Sequence, residues 1–165
     1  MTLSHYHNRF HASQNYEKIM FLPVRALQAA ELNEIQDMTL HQIRSFGDAV
    51  FKDGDVVSGC ICIVRDNVVT VEAGNIYLKG AVRSVPAATL NINSTERFSI
   101  GVYLKERVIT ALEDPTLRDP TPGIRNFNEE GGARLQRSLT WAAEPLSGAA
   151  TDRTLGEFYP VVSLR

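Results

Sequence analysis

Cysteine is nearly absent from this chain, which has two cysteines among 165 residues. A disulfide-rich scaffold is excluded by that count. Cys60 and Cys62 are separated by one residue, and no C-x-x-C pair or distant cysteine is present to complete a zinc site. Because residues two apart on a strand point to the same face, we interpret both cysteines as small buried apolar residues on one strand.

Long apolar runs and basic clusters are also missing. No run approaches the roughly 20 apolar residues that span a bilayer, so no membrane partner is expected, and the first residues lack the pattern of a signal peptide. The 17 basic residues are scattered and the formal net charge is −2, which argues against nucleic acid as a partner. We expect a protein that stays in the cytoplasm or leaves it within a larger particle.

Motifs for catalysis are missing as well, since the chain has no G-x-S-x-G, G-x-G-x-x-G or phosphate-binding P-loop. Trp141 and scattered aromatic residues could form a sugar-binding platform, although such residues more often lie in a core or an interface. A set of loop carboxylates could supply the acid and base of a glycosidase, but their places around prolines fit turn and capping roles: Glu113, Asp114, Asp119, Glu129 and Glu130. We expect no enzymatic activity and no cofactor.

Three of the four histidines stand near the beginning of the chain. His5 and His7 would share one face of a strand, which is how many metal sites begin. They lie in a polar stretch close to a terminus, where order is least common. We therefore expect no metal site, unless three copies of this stretch meet on a threefold axis, and His5 and His7 are the candidates that would then hold the ion.

What the chain does contain is a helical pattern over residues 25–51. Apolar residues recur three and four apart, and alanines with high helix propensity come first. Glu34 and Asp37 fall outside the apolar stripe, so we expect both to face outward. A helix of this length would run roughly 40 Å, and Asp53-Gly54 predicts the turn that leads out of it.

The apolar stripe of this helix also contains two sets of residues spaced seven apart: Leu32, Thr39 and Phe46, and Ile35, Gln42 and Ala49. Polar residues in the middle of such a seam can fix the register and the number of helices in a coiled coil. The stripe allows the helix to pack on its own domain or to meet symmetry-related copies as well. For the second case the predicted interface, with Arg25 and Glu31 as polar contacts, is Arg25, Glu31, Leu32, Ile35, Met38, Gln42, Ile43 and Phe46.

The segments around the helix complete the predicted fold. Residues 1–24 read as an extended arm that ends in a short strand over 16–23, which Pro23 restricts to a sheet edge or to contact with a partner. Residues 52–165 contain short runs rich in valine and isoleucine, separated by turn residues, which predicts an antiparallel β domain. Within it, 113–132 form a long loop rich in proline and glycine. The predicted class is α+β: an extended arm, one long amphipathic helix and a mainly antiparallel β domain.

Beyond these patterns, the sequence resembles a family of tailed-bacteriophage virion proteins. That family has a phrase like F-x-P-G-R-P-L-Q-A-x-E-L-N-E-L-Q, followed by G-D-x-x-F-K-D-G-x-V-V-x-G. The matching residues are Phe21, Pro23, Arg25, 27–29, 31–36, Gly47, Asp48, 51–54 and 56–59. Residues 74–92 and the 113–132 loop match further phrases, so the resemblance covers about 20–145. It departs at Val24, where the family has glycine, and at Phe127, where it has tyrosine.

Members of that family are tail-fibre or baseplate components, often as the N-terminal part of longer chains. The resemblance implies that this chain is a structural protein of the virion tail, a baseplate component or an adaptor that docks tail fibres, made in the host cytoplasm. Its partners would be two further copies in a homotrimer and other baseplate and tail-fibre proteins. The alternatives are a receptor- or glycan-binding tail module, with Trp141 and the loop aromatics as its contact face, and a polysaccharide-degrading tail enzyme.

Overall fold

Short β-branched runs between turn residues make most of this chain a β structure. The computed structural model describes residues 6–92, 97–146 and 155–164. In these ranges the chain forms helix α1 at Ala29–Asp48 and single 3-10 turns at Ala12–Gln14 and Pro115–Leu117. The strands are β1 (Val56–Gly59), β2 (Cys62–Arg65), β3 (Val68–Val71), β4 (Gly74–Leu78), β5 (Ala81–Val85), β6 (Ala88–Asn91), β7 (Phe98–Ile109), β8 (Arg134–Pro145) and β9 (Glu157–Leu164).

The strands form three antiparallel sheets of three strands each, in the orders β1-β4-β5, β2-β3-β6 and β8-β7-β9. β2 and β3 pair as a hairpin around Asp66-Asn67, and β4 and β5 pair around Lys79-Gly80. Asp66-Asn67 and Gly80 are among the turn residues that separate the apolar runs in the sequence. The pairing of β1 with β4 spans the β2–β3 hairpin, so the sheets are not built from neighbouring strands alone.

This architecture shows that the predicted α+β class is wrong. The described chain is mainly β, and α1 buries only Glu34 and Met38. Because the apolar stripe of α1 points away from the sheets, the helix adds little to the core and does not form a layer of the fold. Within the described residues, no helix combines the length and the apolar composition needed to span a membrane.

The predicted extended arm is not found either. Residues 6–15 fold back along α1, where the Asn33 side chain donates a hydrogen bond to the carbonyl oxygen of His7 at 2.9 Å. Arg9 forms an ion pair with Glu34 at 2.6 Å. These polar contacts hold the segment against the helix instead of letting it extend. His5 lies outside the described residues.

The core lies between the sheets and is built almost entirely from strand residues: Val69, Val71, Ile76, Leu78, Val85, Ile100, Val102, Leu104, Trp141 and Tyr159. Trp141 is 5 % exposed, and its indole Nε1 donates a hydrogen bond to the carbonyl oxygen of Pro86 at 2.9 Å. The interpretation of Trp141 as a core residue is confirmed. Its use as an exposed contact face is wrong, because the ring is covered.

The two cysteines do not share a strand, contrary to the prediction. Cys60 lies between β1 and β2 with a φ of 59°, and Cys62 begins β2. Cys60 is buried in the core and Cys62 packs against it, so their interpretation as small apolar residues is confirmed. Burial raises the pKa of both thiols, which keeps them protonated and poorly reactive at neutral pH.

The turn after α1 is formed at Asp53-Gly54, as predicted. Asp53 accepts a hydrogen bond from the amide of Lys79 at 2.7 Å, and the amide of Gly54 donates to the carbonyl oxygen of Tyr77 at 2.9 Å. Gly54 has a φ of 99°, and a Cβ at this position would lie 2.5 Å from the carbonyl oxygen of Pro160 in β9. Only glycine fits here, because both the φ value and the contact with β9 exclude a side chain.

Residues 113–132 form a loop, as predicted, and the loop closes on itself. Arg118 and Glu130 face each other in an isolated β-bridge, and their side chains form an ion pair at 2.8 Å. The exposed apolar side chains of Ile124 and Phe127 lie between these two residues in sequence. The loop is therefore a structured element that presents apolar side chains to solvent.

The core placement predicts different effects for two valines on β5. Val85 is 2 % exposed and Val82 is 53 % exposed. Val85→Ala removes two buried methyl groups and should lower the free energy of unfolding by about 2 kcal/mol, whereas Val82→Ala should change it by less than about 0.5 kcal/mol. Urea unfolding of both variants measures the difference, and equal effects would contradict this placement of the core.

Candidate interaction surface

Helix α1 carries an apolar stripe on the side that points away from the rest of the described chain. Its members follow one another in steps of three and four, the last of them just beyond the helix: Leu32, Ile35, Thr39, Ile43, Phe46 and Val50. The apolar side chains among them are between 38 % and 78 % exposed. Because five turns of an α-helix take about 18 residues, positions 32 to 50 follow a straight line along the helix.

The opposite face of α1 is polar and contacts the folded-back residues 6–15. Glu34 is 9 % exposed and pairs with Arg9, and Asp37 accepts a hydrogen bond from Asn8. The prediction that Glu34 and Asp37 face outward is wrong, because this segment supplies partners for both carboxylates. A helix that turns its polar face inward leaves its apolar face for another partner.

A tyrosine hydroxyl attaches the C-terminal end of α1 to the sheets. Tyr77 Oη in β4 donates to Asp48 Oδ1 at 2.7 Å, and Arg44 Nε donates to the other carboxylate oxygen at 3.0 Å. Gly47 leaves room for the tyrosine, since a Cβ there would lie 2.5 Å from Tyr77 Oη. The hydrogen bonds from Tyr77 and Arg44 lower the pKa of Asp48, while burial and the Asp48 carboxylate raise the pKa of Tyr77 to about 12.

A capping box defines the N-terminal end of α1. The Gln28 amide donates to Glu31 Oε2 at 2.8 Å, and the Gln28 side chain accepts a hydrogen bond from the Glu31 amide. This reciprocal pair satisfies two amides of the first turn and explains why the helix begins at Ala29, four residues later than predicted. Glu31, a predicted interface residue, is thus engaged within its own chain, and Arg25 is exposed.

The apolar and amide residues of the predicted interface fall into two groups. Those on the outer face are exposed: Leu32, Ile35, Gln42, Ile43 and Phe46. Met38, which is 6 % exposed, lies on the inner face because it is one position, about 100°, away from Thr39.

Val50 is a member of the stripe that the sequence reasoning left out of the interface. A repeat of eleven residues in the sequence identifies Val50 as a member. The repeat relates Leu32 to Ile43, Ile35 to Phe46 and Thr39 to Val50. An eleven-residue spacing corresponds to about 3.7 residues per turn. It therefore follows the stripe of a straight helix more closely than the seven-residue spacing does.

A groove of about 500 Å³ separates α1 from the β7–β8 hairpin. Several of its lining residues are polar: Asn33, Gln36 and Asp37 on the helix side, and Glu106, Arg134 and Arg137 on the hairpin side. Among the strands, the main contact of α1 is with β5. The helix is thus held mainly by polar contacts along one face, and its apolar face takes no part in them.

Within the described ranges, the structure does not bring the predicted loop carboxylates or metal ligands together into a site. Three loop carboxylates accept hydrogen bonds from nearby backbone amides at 2.8 to 3.0 Å, in turn and capping roles: Glu113, Asp114 and Asp119. Glu130 pairs with Arg118. Among the described residues, no group of three or more histidine, cysteine, aspartate or glutamate residues is arranged to hold a metal ion. The apolar stripe of α1 is therefore the candidate functional surface.

Comparison with known proteins links the chain to one family. Residues 4–165 match a family described as a domain of unknown function, DUF4815. No curated protein and no solved structure matches the chain.

The attachment of α1 predicts a change in acid sensitivity when the Tyr77 hydroxyl is removed. The pKa of Asp48 lies below its ordinary value of 3.8, so its carboxylate stabilises the fold fully above that pH and loses this effect as the pH falls through the folded-state pKa. Tyr77→Phe removes the largest cause of the low pKa. We expect the variant to be less stable near neutral pH and to lose less stability than wild type between about pH 5 and pH 2.

Urea unfolding across this pH range tests the expectation. Tyr16→Phe is the matched control, because Tyr16 is 60 % exposed and its change should leave the curve as in wild type. Parallel curves for wild type and Tyr77→Phe would show that this hydrogen bond does not anchor the helix.

Proposed function

The chain belongs to the DUF4815 family, and we propose that it is a structural protein of a bacteriophage tail, a baseplate component or adaptor that docks tail fibres as a homotrimer. The observation that carries this proposal is the apolar stripe of α1, exposed along a helix whose polar face points inward. The resemblance of residues 20–145 to tail-fibre and baseplate proteins supports the kind of assembly. In this proposal the chain is not an enzyme, and its partners are proteins.

The stripe has the composition of a contact between helices. Leu32, Ile35, Ile43 and Phe46 are each partly covered and partly exposed. Covering the remaining surface of such a side chain contributes about 1 kcal/mol, roughly half the value for complete burial. Copies whose stripes meet gain this stabilisation at each of the four positions, which offsets part of the free energy that association costs.

The polar residue inside the stripe is compatible with burial. Thr39 Oγ1 donates a hydrogen bond to the carbonyl oxygen of Ile35 at 3.0 Å, so a closed seam leaves no unpaired hydroxyl donor there. Gln42 lies at the margin of the stripe and is exposed. Polar residues at such positions favour one register and one number of helices over others, which fits a closed homotrimer in which each copy contributes the same stripe.

The loop of residues 113–132 offers a second surface for neighbouring tail proteins. Its backbone is held by the bridge between Arg118 and Glu130, so little conformational entropy remains to be lost on binding. Ile124 and Phe127 are 47 % and 52 % exposed. A preformed loop with exposed apolar side chains suits contact with a fixed partner in a baseplate.

The location in the virion can be tested directly. Antibodies raised against the purified chain should label the baseplate end of the tail when applied to intact virions of the phage that encodes it. Virions produced with a stop codon in this gene are the control, and they should lose both the label and the attached fibres. Virions that carry no label, or carry it on the head alone, would overturn the proposal.

A homotrimer held by the apolar stripe of α1 has a defined mass in solution. Three copies of the 18.3 kDa chain amount to about 55 kDa, and we expect light scattering to give this value for wild type. Ile35→Asp places a charge in the seam and should shift the mass to that of a single chain. Val82→Asp is the control, because Val82 is similarly exposed but lies on β5. An unchanged mass for Ile35→Asp would show that the stripe is not the interface.

A further inference from the structure

The three small sheets have six outer edges, and five of them are covered or protected. β5 contacts α1 and β8, and β6 contacts β8. β1 has an irregular register against β4, and β9 has an irregular register against β7 and contains Pro160. β8 carries Arg134 and Arg137 along its exposed half. Irregular registers, proline and charge are devices that keep other strands from pairing with an edge.

β2 has neither the irregular register nor the proline. It is an outer strand that pairs with β3 in a regular register, and no strand of the described chain pairs with its other side. Ile63 and Val64 are 44 % and 43 % exposed, and Ile61 just before the strand is 57 % exposed. The only charge in β2 is at its last residue, Arg65. An edge with unpaired backbone groups and exposed β-branched side chains is a template for a further strand.

The chain also contains an apolar segment that forms no regular structure and is largely exposed in the described part of the chain. Residues 18–22 form no helix or strand, and three consecutive side chains in it are largely exposed: Met20 at 80 %, Phe21 at 54 % and Leu22 at 66 %. Pro23 follows directly. A short apolar run that ends at a proline has the composition of an added edge strand.

We propose that residues 18–22 of one copy add as an antiparallel strand to the outer edge of β2 in a second copy. The register that places Leu22 opposite Cys62 brings Phe21 opposite Ile63. Lys18 then falls opposite Asp66, which follows β2 and has the opposite charge. In this register Pro23 lies outside the paired residues of β2. The backbone amide that proline lacks is therefore not needed for a hydrogen bond between the two strands.

The occupant is a second copy because the two surfaces do not meet within one chain. Phe21, Ile63 and Val64 are all exposed in the same molecule, so neither surface covers the other. The two surfaces match in length and apolar character, and each copy offers one of each. Such an exchange links every copy to a neighbour and rests on the self-assembly proposed above.

Disulfide trapping between copies tests this pairing. Phe21→Cys and Ile63→Cys are made in separate chains, each with Cys62→Ser, and the two chains are co-expressed with different affinity tags. Directly opposite strand residues have Cα atoms about 4.5–5.5 Å apart, which a disulfide can bridge. Oxidation with diamide should join positions 21 and 63 of differently tagged chains. Val24→Cys in place of Phe21→Cys is the control, because Val24 is fully exposed and lies beyond Pro23, and we expect at least tenfold less product.

Light scattering on the same samples separates the two proposals. If the mass is that of a trimer but Phe21→Cys gives no disulfide, or gives no more than Val24→Cys, the strand addition is overturned. The contact between the apolar stripes then remains supported. A mass of a single chain would overturn the self-assembly and the strand addition together.

A second measurement leaves the cysteines unchanged. Hydrogen exchange of the peptide that covers β2 should be at least tenfold faster in Phe21→Asp than in wild type, while Val24→Asp should behave as wild type. Equal exchange in Phe21→Asp and wild type would show that no strand protects this edge.

Discussion

The hydrogen bond from the Tyr77 hydroxyl to Asp48 fixes the C-terminal end of α1 with its apolar stripe toward solvent. Asp48 and Arg44 are four residues apart, and the rotation of the helix that brings both to Tyr77 also turns Met38 inward. The same rotation turns the apolar stripe outward. Together with the contacts between residues 6–15 and the polar face of α1, this attachment keeps the apolar stripe away from the sheets.

The strands can support this arrangement because they make a core without the helix. The buried side chains of β3, β4, β5, β7, β8 and β9 pack together, so the stripe is not needed for folding and is available for assembly. The helix seam and the edge of β2 would also act in different ways within one assembly. A seam on an axis sets the number of copies, whereas an exchanged segment links each copy to its neighbour, and two contacts between the same copies strengthen each other through their high effective concentration.

Local chemistry predicts local structure well in this chain. Turn residues identify the hairpins at Asp66-Asn67 and at Gly80, and the proline-rich context of Glu113 and Asp114 predicts their capping roles. A few local details are wrong, since α1 begins at Ala29 and the two cysteines do not share a strand. The larger failures are non-local. The apolar pattern predicts that a helix exists but does not say what its stripe meets, and the α+β class is wrong for that reason. The partner of Glu34 is Arg9, 25 positions away, and no spacing rule connects the two.

The close approach of Gly54 to Pro160 has a consequence for the order of events during translation. The turn that leads out of α1 packs against the Pro160 carbonyl oxygen in β9, so this contact cannot form until residue 160 has been made. At 5–20 residues per second, that interval lasts about 5 to 20 seconds after residue 54 is added. Tyr77, which donates to Asp48, is made earlier. The ribosome therefore carries a helix that β4 can already attach while the turn behind it still lacks the strand it packs against.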